Sequence, residues 1–400
     1  MAVTPAMDAQ KCKLYFQVLL WLGIILSWGI SLLNGTVKEL LLSVWNGHLG
    51  EERLPLATNY TGIPIIDYPL AVLVAFFYYG TSGHDEGYQL FLFDSYGTLT
   101  AAFVWLYVES LRPNAEPKWM SRPVIFGMLW QCCGAATALP LYFAIHMQWS
   151  SQTKQVTRVA RLDQARALPF AFLLGAVLPT VIGMAPTWLG AHSRPPVTHQ
   201  MIMAAWQPAP IWVAWSLYLF SWLARGISGG PESKRPGYIA HDEDGNVKKI
   251  YRWICTSYLL AAVLSALAHW YVFGRIFTSD NPAVKMSRMY IPWLHTGPYG
   301  ETAADIMVRG PWLFLQYDVI IIGLSSLSWA FILVRPTPLL KNLSGVRLAL
   351  IMFVASVVIS PGAIVSIALL IREYYLPKYD ENRTEPAKMR LGNSDRKGYL

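Results

Sequence analysis

Apolar runs of about twenty residues recur along the whole sequence, and this feature constrains the fold more than any other. A helix needs about 20 apolar residues to cross the hydrocarbon core of a bilayer. The 400-residue chain is 54% hydrophobic and 14% charged, and its mean hydropathy is +0.34, unlike the balance of a soluble domain. We therefore predict an all-α fold, a polytopic transmembrane bundle whose helices pair their own backbone polar groups.

The apolar runs predict about eight or nine transmembrane helices in a single domain over residues 1–400. The loops between them are too short to form a separate soluble domain, and a basic polar tail covers 372–400. A short apolar run at 89–93 either is re-entrant or extends the third helix. The predicted helices are 14–33, 63–80, 94–111, 124–148, 168–191, 200–225, 253–277, 312–334 and 346–371.

The net charge of +8 comes from Lys and Arg beside helix ends, which indicates membrane topology and not nucleic-acid binding. These residues cluster in the loops 149–167 and 226–252, both on the N-terminal side of the predicted alternation. The loop 34–62 is poor in Lys and Arg and carries glycosylation sequons at Asn34 and Asn59. We therefore predict an integral membrane protein of the endoplasmic reticulum with a cytosolic N-terminus. The basic tail fits this orientation with eight helices but not with nine.

Four acids fall inside the predicted helices, where an ionisable residue costs a few kcal/mol and usually faces the protein interior. They are Asp67, Asp94, Glu109 and Asp318. Alternating helix directions place Asp67, Glu109 and Asp318 at the lumenal end, so we expect them to lie close together. The same alternation brings to that end Trp28, Trp130, Trp188, Trp206, Gln207, His269 and Trp270.

A carboxyl-lined cup with aromatic walls suits acid-initiated chemistry on a hydrocarbon. A neutral carboxylic acid in a dry site can protonate an alkene or an epoxide, and aromatic faces then stabilise the carbocation. Glu109 is the first predicted proton donor, Asp67 is the neighbour that tunes it, and Asp94 is a competing donor. The predicted substrate-binding residues are Trp130, Trp188, Trp206, Gln207, His269 and Asp318.

Structural interpretations of these residues stay open beside the functional ones. Each acid could lie at the membrane interface or cap a helix, and His269 could be a satisfied interior histidine. Pro208 and Pro210 interrupt the sixth helix, where a kink could form a pocket wall or a packing irregularity. The loop 80–97 holds His84, Asp85 and Glu86, which fit either a metal or head-group site or, more simply, a solvated turn.

Motifs of several other enzyme classes are missing from the sequence. It contains no DDxxD motif for a magnesium diphosphate site and no DxDD motif of soluble class II cyclases. HxxHH boxes, a P-loop and a GxGxxG helix start are also absent. The predicted chemistry therefore needs neither a metal nor a nucleotide cofactor.

Three stretches of the sequence carry a family resemblance. They are FLFDSYGTLTAAFVWLYVESLRP (91–113), LPLYFAIH (139–146) and WQPAPIWV (206–213). They resemble fungal integral-membrane terpene cyclases of meroterpenoid biosynthesis, of the ascochlorin, ascofuranone and macrophorin type. By this resemblance Asp94 and Glu109 are the acids of a matching stretch, and Trp206 and Gln207 belong to the matching kink.

The resemblance implies a non-redox ring closure on a farnesyl chain attached to an aromatic or quinone-like ring. The reaction would begin by protonation of an epoxide or terminal alkene and end by deprotonation or capture by an internal oxygen. The predicted partners are thus a lipophilic prenylated small molecule and membrane lipid. Two other functions stay open: a proton-coupled transporter with Asp67 and Asp318 as relay groups, and a non-catalytic sterol- or lipid-binding protein.

Overall fold

The computed structural model describes residues 9–50, 53–113, 119–152, 156–184, 190, 193–227, 245–292 and 303–377. Helices account for nearly all regular structure in these ranges, and the exception is one short antiparallel pair, His48–Leu49 with Leu54–Pro55. The predicted all-α fold is therefore confirmed.

The described residues between 9 and 184 form nine α-helices and two π-helical turns. In chain order they are α1 (Ala9–Ile24), a π-helical turn (Ile25–Gly29), α2 (Ile30–Leu33), α3 (Thr36–Asn46), α4 (Pro64–Thr81), α5 (Glu86–Ser110), α6 (Pro123–Cys133), α7 (Ala135–Gln152), α8 (Leu162–Phe172), a second π-helical turn (Leu173–Val177) and α9 (Leu178–Met184). The remaining helices are α10 (Pro196–Trp206), α11 (Ala209–Ile227), α12 (Asn246–Thr278), α13 (Met286–Tyr290), α14 (Ala303–Val334), α15 (Gly345–Val358) and α16 (Pro361–Tyr375).

Six helical stretches of the described chain are long and apolar enough to cross a membrane. The predicted count of eight or nine is not confirmed, since three predicted spans, 124–148, 200–225 and 346–371, are each divided into shorter helices. The six stretches are Gln10–Leu33, Pro64–Thr81, Glu86–Ser110, Leu162–Gly183, Asn246–Thr278 and Asp305–Val334.

The start of α1 marks one end of the bundle, which we call the proximal end; the opposite end is the distal end. The Tyr15 hydroxyl lies 2.8 Å from that of Ser328 in α14. The next residue of α14, Trp329, donates its indole N–H to His146 at 3.1 Å, and the other nitrogen of His146 lies 2.9 Å from Glu109. The end of α5 therefore lies at the proximal end, beside the start of α1.

Helices α1 and α5 consequently run in opposite directions, and residues 34–85 between them begin and end at the distal end. Asp67, near the start of α4, faces a pocket that includes Val44 of α3, and Ser43 of α3 lies 3.8 Å from Met307 near the distal start of α14. Helix α4 therefore starts at the distal end and makes no net crossing, although its length and composition are those of a spanning helix. The expectation that Glu109 shares an end with Asp67 is therefore wrong. Periodicity and length cannot distinguish a crossing helix from one packed within one half of the bundle.

The predicted span 124–148 is instead a hairpin of α6 and α7 that folds back at Gly134. Gly134 has φ +87°, in the left-handed region that favours glycine. The rings of Phe126 and Tyr142, equidistant from Gly134 in sequence, lie 5.0 Å apart. Because α6 has 11 residues and a length of about 16 Å, it ends inside the bundle. Gly134, at the tip of the α6–α7 hairpin, therefore lies near the middle of the bundle.

The predicted span 346–371 is likewise two helices, α15 and α16, of 14 and 15 residues. Pro361 has no backbone N–H and cannot continue α15, while the Ser360 hydroxyl caps α16 by accepting the Ala363 N–H at 3.0 Å. Helix α15 starts beside the end of α14, and α16 ends where Arg372 contacts Glu109 at 2.7 Å. This second hairpin therefore starts and finishes at the proximal end.

The described start of the predicted basic tail lies at the proximal end as well. Arg158, in the basic loop after α7, donates to the carbonyl oxygens of Glu373 and Tyr374 at 3.1 and 2.6 Å. Its backbone N–H also donates to Pro377 at 3.0 Å. The N-terminal helix, the 156–161 loop and residues 372–377 thus share one end, whereas residues 378–400 lie outside the described ranges.

The two glycosylation sequons at the distal end differ in exposure, which gives a test of orientation. Asn34 is fully buried, and its Oδ1 accepts hydrogen bonds from the N–H and hydroxyl of Thr36 at 3.1 and 2.7 Å. Asn59 is exposed in the loop before α4. If the distal end faces the lumen, we expect a glycan on Asn59 and none on Asn34.

The measurement is the shift in gel mobility on glycosidase treatment of protein made in eukaryotic membranes. Asn59→Gln should abolish the shift, and Asn34→Gln should leave it unchanged. A wild-type protein without a glycan, or a shift that survives Asn59→Gln, would contradict this orientation.

Candidate functional site

A cavity of about 270 Å³ lies in the bundle beside the tip of the α6–α7 hairpin. Side chains from α3, α4, α5, α6 and α14 form most of its wall, and α3 contributes Thr36, Val37, Leu40 and Leu41. The wall is predominantly apolar, as in most small-molecule sites. The aromatic residues that line it are Trp28, Phe76, Phe77, Tyr96, Phe103, Trp130, Trp206 and Phe314.

Five of these rings form a continuous series of contacts along the wall. Ring centroids are separated by 6.4 Å for Tyr96 and Phe77, 4.9 Å for Phe77 and Phe76, 5.3 Å for Phe76 and Phe314, and 5.4 Å for Phe314 and Trp28. Most of these pairs meet edge to face, which leaves other ring surfaces available to a ligand. The series joins two parts of the cavity that carry different polar groups.

Asp318 supplies the one carboxyl group among the described residues that line the cavity. The side chain is buried, and its Oδ1 accepts the backbone N–H of Ala136 at 2.7 Å, at the N-terminus of α7. It has no ion-pair partner among the described residues. A Cβ at Gly134 would lie 2.9 Å from Oδ1, so a glycine at the hairpin tip allows this close approach.

The other polar groups around the cavity are mostly paired with each other. The Thr180 hydroxyl donates to the Ala176 carbonyl at 2.9 Å and accepts the indole N–H of Trp206 at 3.1 Å. The Gln131 amide donates to the main-chain carbonyl of Gln207 at 2.9 Å. The hydroxyl of Tyr96 differs, because it is buried and has no hydrogen-bond partner among the described residues.

The predicted substrate-binding residues divide into three groups. Trp130, Trp206 and Asp318 line the cavity together. Gln207 is buried at the kink between α10 and α11, and its side-chain amide finds no partner in the described chain, but it does not line the cavity. His269 lies away from the cavity wall, and Trp188 is outside the described residues.

Glu109, the first predicted proton donor, lies in a buried ion-pair cluster at the proximal end. Its carboxylate accepts two hydrogen bonds from Arg112, at 2.8 and 2.9 Å, and one from Arg372 at 2.7 Å. Glu373 pairs with Arg112 at 2.8 Å, and the imidazole of His146 lies 2.9 Å from Glu109. Both carboxylates and both guanidinium groups are thus committed to each other, and none of them lines the cavity.

Asp94 is held by side chains from two other helices. Its Oδ1 lies 2.9 Å from Nδ1 of His269, and its Oδ2 accepts the Tyr290 hydroxyl at 2.5 Å. Nε2 of His269 lies 3.0 Å from the Val357 carbonyl, which can only accept, so this nitrogen carries a hydrogen. Burial and the adjacent Asp94 carboxylate raise the pKa of the Tyr290 hydroxyl, which therefore stays a donor. This cluster joins α5, α12, α13 and the end of α15.

Asp67 organises the turn before α4 and does not line the cavity. Its Oδ1 accepts the backbone N–H and the hydroxyl of Thr61, both at 2.8 Å, and its Oδ2 accepts the N–H of Gly62 at 3.0 Å. It faces a separate surface pocket that includes Asn59 and Tyr68. Asp67 and Glu109 therefore do not form the predicted carboxyl pair.

The acidic turn before α5 has a separate partner for each of its side chains. Asp85 caps α5 by accepting the Tyr88 N–H at 2.9 Å and pairs with Arg288. Glu86 pairs with Arg275, and His84 lies 2.7 Å from the Ser82 hydroxyl. These contacts fit the simpler interpretation of the turn as a structural one.

Sequence reasoning passed over several cavity residues that a helical pattern would have indicated. Tyr96, Leu99, Thr100 and Phe103 lie on one face of α5 at the spacing i, i+3, i+4, i+7 and all line the cavity. The hairpin tip at Gly134 has a weaker signal, a single glycine within an otherwise apolar run.

Comparison with known proteins gives a consistent family assignment. A family model described as the CtvD domain matches residues 12–376. The terpene cyclase DEP1 of Fusarium langsethiae is 27% identical over 370 residues, which cover 88% of this chain and 95% of that protein. The terpene cyclase ctvD of Aspergillus terreus is 27% identical over 317 residues, 77% of this chain and 83% of that protein.

A third relative, the terpene cyclase ascI of Acremonium egyptiacum, is 23% identical over 279 residues, 68% of this chain and 66% of that protein. No solved structure matches the chain. These relatives confirm the resemblance to fungal terpene cyclases and the prediction of a cyclase enzyme. Because the family model covers most of its length, the chain belongs to the CtvD domain family.

Proposed function

We propose that this protein is a membrane-bound terpene cyclase that closes rings on the farnesyl chain of a prenylated aromatic substrate. The reaction starts when a carboxylic acid protonates an epoxide or a terminal alkene, without a metal ion. One observation carries the proposal: Asp318 faces an aromatic, apolar cavity and has no ion-pair partner among the described residues. Membership of a family with relatives named terpene cyclases supports the same reaction class.

Asp318 fits the role of proton donor better than the three acids proposed from sequence. Glu109 is surrounded by two arginines, Asp94 is bound by His269, and Asp67 accepts hydrogen bonds from its own loop. None of these three lines the cavity. A general acid must come within hydrogen-bond reach of the atom that it protonates, so the geometry favours Asp318.

The surroundings of Asp318 suit a neutral acid that delivers its proton into the cavity. A carboxyl group costs less to bury in an apolar site when it is neutral than when it is charged. The carboxyl group accepts the Ala136 N–H through Oδ1, and in its neutral form it keeps one O–H that it can donate. Transfer of this proton opens an epoxide to an alcohol, or adds to an alkene carbon, and in both cases leaves a carbocation.

The aromatic wall then stabilises the cation while neighbouring alkenes attack it and form rings. Each cation–π contact contributes about 0.5–2 kcal/mol, with the larger values in desolvated sites. Phe76, Phe77 and Phe314 supply consecutive ring surfaces beside Asp318. Loss of a proton, or capture by an internal oxygen with loss of its proton, ends the reaction and balances the proton taken from Asp318. Substrate and product are isomers.

The site also suggests how a water-insoluble substrate arrives. Leu41 and Cys132 line the cavity and are exposed on the outer surface of the bundle. A substrate dissolved in the bilayer enters sideways, so no aqueous channel is needed. We place the enzyme in the endoplasmic reticulum, with the proximal end and its basic residues in the cytosol.

Microsomes that contain the protein test this function directly. They are incubated with a farnesyl phenol and with its terminal epoxide, and products are compared with those of microsomes lacking the protein. We expect at least one substrate to give an isomeric product, of unchanged mass, that contains at least one new ring formed from the farnesyl chain. Recovery of both substrates unchanged, with the protein folded and present, would contradict cyclase activity on this class of compound.

A further inference from the structure

The hydroxyl of Tyr96 is an unpaired polar group in the wall of the cavity. Tyr96 is 6% exposed, and its hydroxyl has no hydrogen-bond partner among the described residues. Buried polar groups in native proteins nearly always have partners, and an unsatisfied one costs about 1–3 kcal/mol. Since this hydroxyl lies at a ligand cavity, a ligand atom is a natural partner for it.

The position of Tyr96 is fixed by the rings around it. Its centroid lies 6.4 Å from that of Phe77 and 5.1 Å from that of Trp206. The indole N–H of Trp206 is already donated to Thr180. The Tyr96 hydroxyl, in contrast, is held in place by these rings and is still able both to donate and to accept a hydrogen bond.

Among the described tyrosines whose buried hydroxyl has no partner, Tyr96 is the one that lines the cavity. Tyr107 lies on the same helix, is also buried, and its hydroxyl also has no partner in the described chain. Tyr107 does not line the cavity. The pair offers a matched comparison in which the same substitution removes the same atom from one helix, once at the cavity and once away from it.

We propose that the Tyr96 hydroxyl hydrogen-bonds an oxygen atom on the head-group ring of the substrate and so fixes the direction in which the chain lies. This inference rests on the proposed function and adds a determinant of specificity to it. The head group lies beside Phe77 and Trp206, and the hydrocarbon tail follows Phe76 and Phe314 to the acid at Asp318.

The distribution of polar groups in the cavity supports this direction of binding. Asp318 and Tyr96 are separated along the wall by Phe77, Phe76 and Phe314, whose rings offer no strong hydrogen bonds. A ligand that satisfies both ends carries a reactive group at one terminus and a hydrogen-bonding oxygen at the other. The ligand class is therefore a long hydrocarbon chain on an oxygen-bearing ring, bound in a single orientation.

The test measures kcat/KM for wild type, Tyr96→Phe and Tyr107→Phe on two substrates that share the same prenyl chain. One carries a hydroxyl group on its ring, and the other is the deoxy analogue. We expect Tyr96→Phe to lower kcat/KM about 10- to 100-fold for the hydroxylated substrate and to change it less than about twofold for the deoxy analogue. Tyr107→Phe should match wild type on both.

Each of the other outcomes would overturn the assignment. An equal loss on both substrates would give Tyr96 a packing role, and no loss on either would leave its hydroxyl without a role in binding. Wild type alone gives an independent measurement, since it should prefer the hydroxylated substrate about 10- to 100-fold.

The same experiment separates this inference from the proposed function. Wild type that cyclises either substrate establishes cyclase activity whatever Tyr96→Phe does. Wild type that cyclises neither contradicts the proposed function first, and the assignment of Tyr96 with it.

Discussion

Replacing Asp318 by asparagine is expected to lower the rate of cyclisation by about 100- to 10,000-fold, the range in which general acids contribute. Asparagine has nearly the same shape and can still accept the Ala136 N–H through its side-chain oxygen. It cannot release a proton as a carboxylic acid does. The measurement is the initial rate of product formation in membranes normalised for the amount of folded protein.

The fold should tolerate this change, which separates a catalytic effect from a structural one. The substitution removes an acid that has no ion-pair partner in the described chain and leaves no charge behind, so the apparent Tm in detergent should not fall. Glu86→Gln is the control: it removes a carboxylate from the start of α5, far from the cavity wall, and should retain activity. Asp318→Asn with wild-type turnover would remove Asp318 from the mechanism.

Glu109→Gln is expected to destabilise the protein by about 3–5 kcal/mol, the usual cost of breaking a buried ion pair. Arg112 and Arg372 both contact this carboxylate and are themselves buried. Glu373 remains beside Arg112, but Arg372 loses its charged partner. The apparent Tm of the purified protein in detergent and its yield from membranes should both fall clearly below those of wild type.

Glu86→Gln again provides the comparison, since it makes the same substitution on the same helix. The Glu86 pair with Arg275 is partly exposed, and exposed pairs contribute about 0–1 kcal/mol. Its Tm should therefore stay close to that of wild type. A Glu109→Gln protein with wild-type Tm and no cyclisation would contradict the structural role and restore Glu109 as the proton donor proposed from sequence.

The sequence carried enough information for the fold class and for much of the cavity wall. Apolar runs of membrane-spanning length predict an all-α bundle, and the alternation of helix directions places Trp130 and Trp206 at the same end as Asp318, with which they line the cavity. These residues lie on helices whose apolar residues follow each other closely in the sequence. Patterns of this kind depend on neighbouring residues, which a single sequence displays directly.

The path of the chain could not be predicted in the same way. Residues 124–148 and 346–371 are as apolar as spanning helices, yet each turns back, at Gly134 and at Ser360. Helix α4 meets the criteria for a span and makes no net crossing. Composition reports that a segment is buried in lipid or protein, whereas its direction depends on packing with distant segments.

The role of Glu109 depended on such distant contacts. A carboxylate near the end of an apolar helix looked like a reactive group in a dry site. Its partner Arg372 lies 263 residues away in the sequence, and the two meet because α16 packs along α5. Asp318 showed the opposite outcome: it was predicted at a helix start, and α14 instead begins at Ala303, so Asp318 lies well inside the helix beside the cavity.

The most direct test of this account is an experimental density map of the protein with an unreactive substrate analogue, in which the terminal alkene is saturated. We expect the tail of the analogue in the cavity between Phe76 and Phe314, with its terminus within about 3–4 Å of a carboxyl oxygen of Asp318. An analogue bound elsewhere, or an Asp318 side chain turned outward to lipid, would contradict the account.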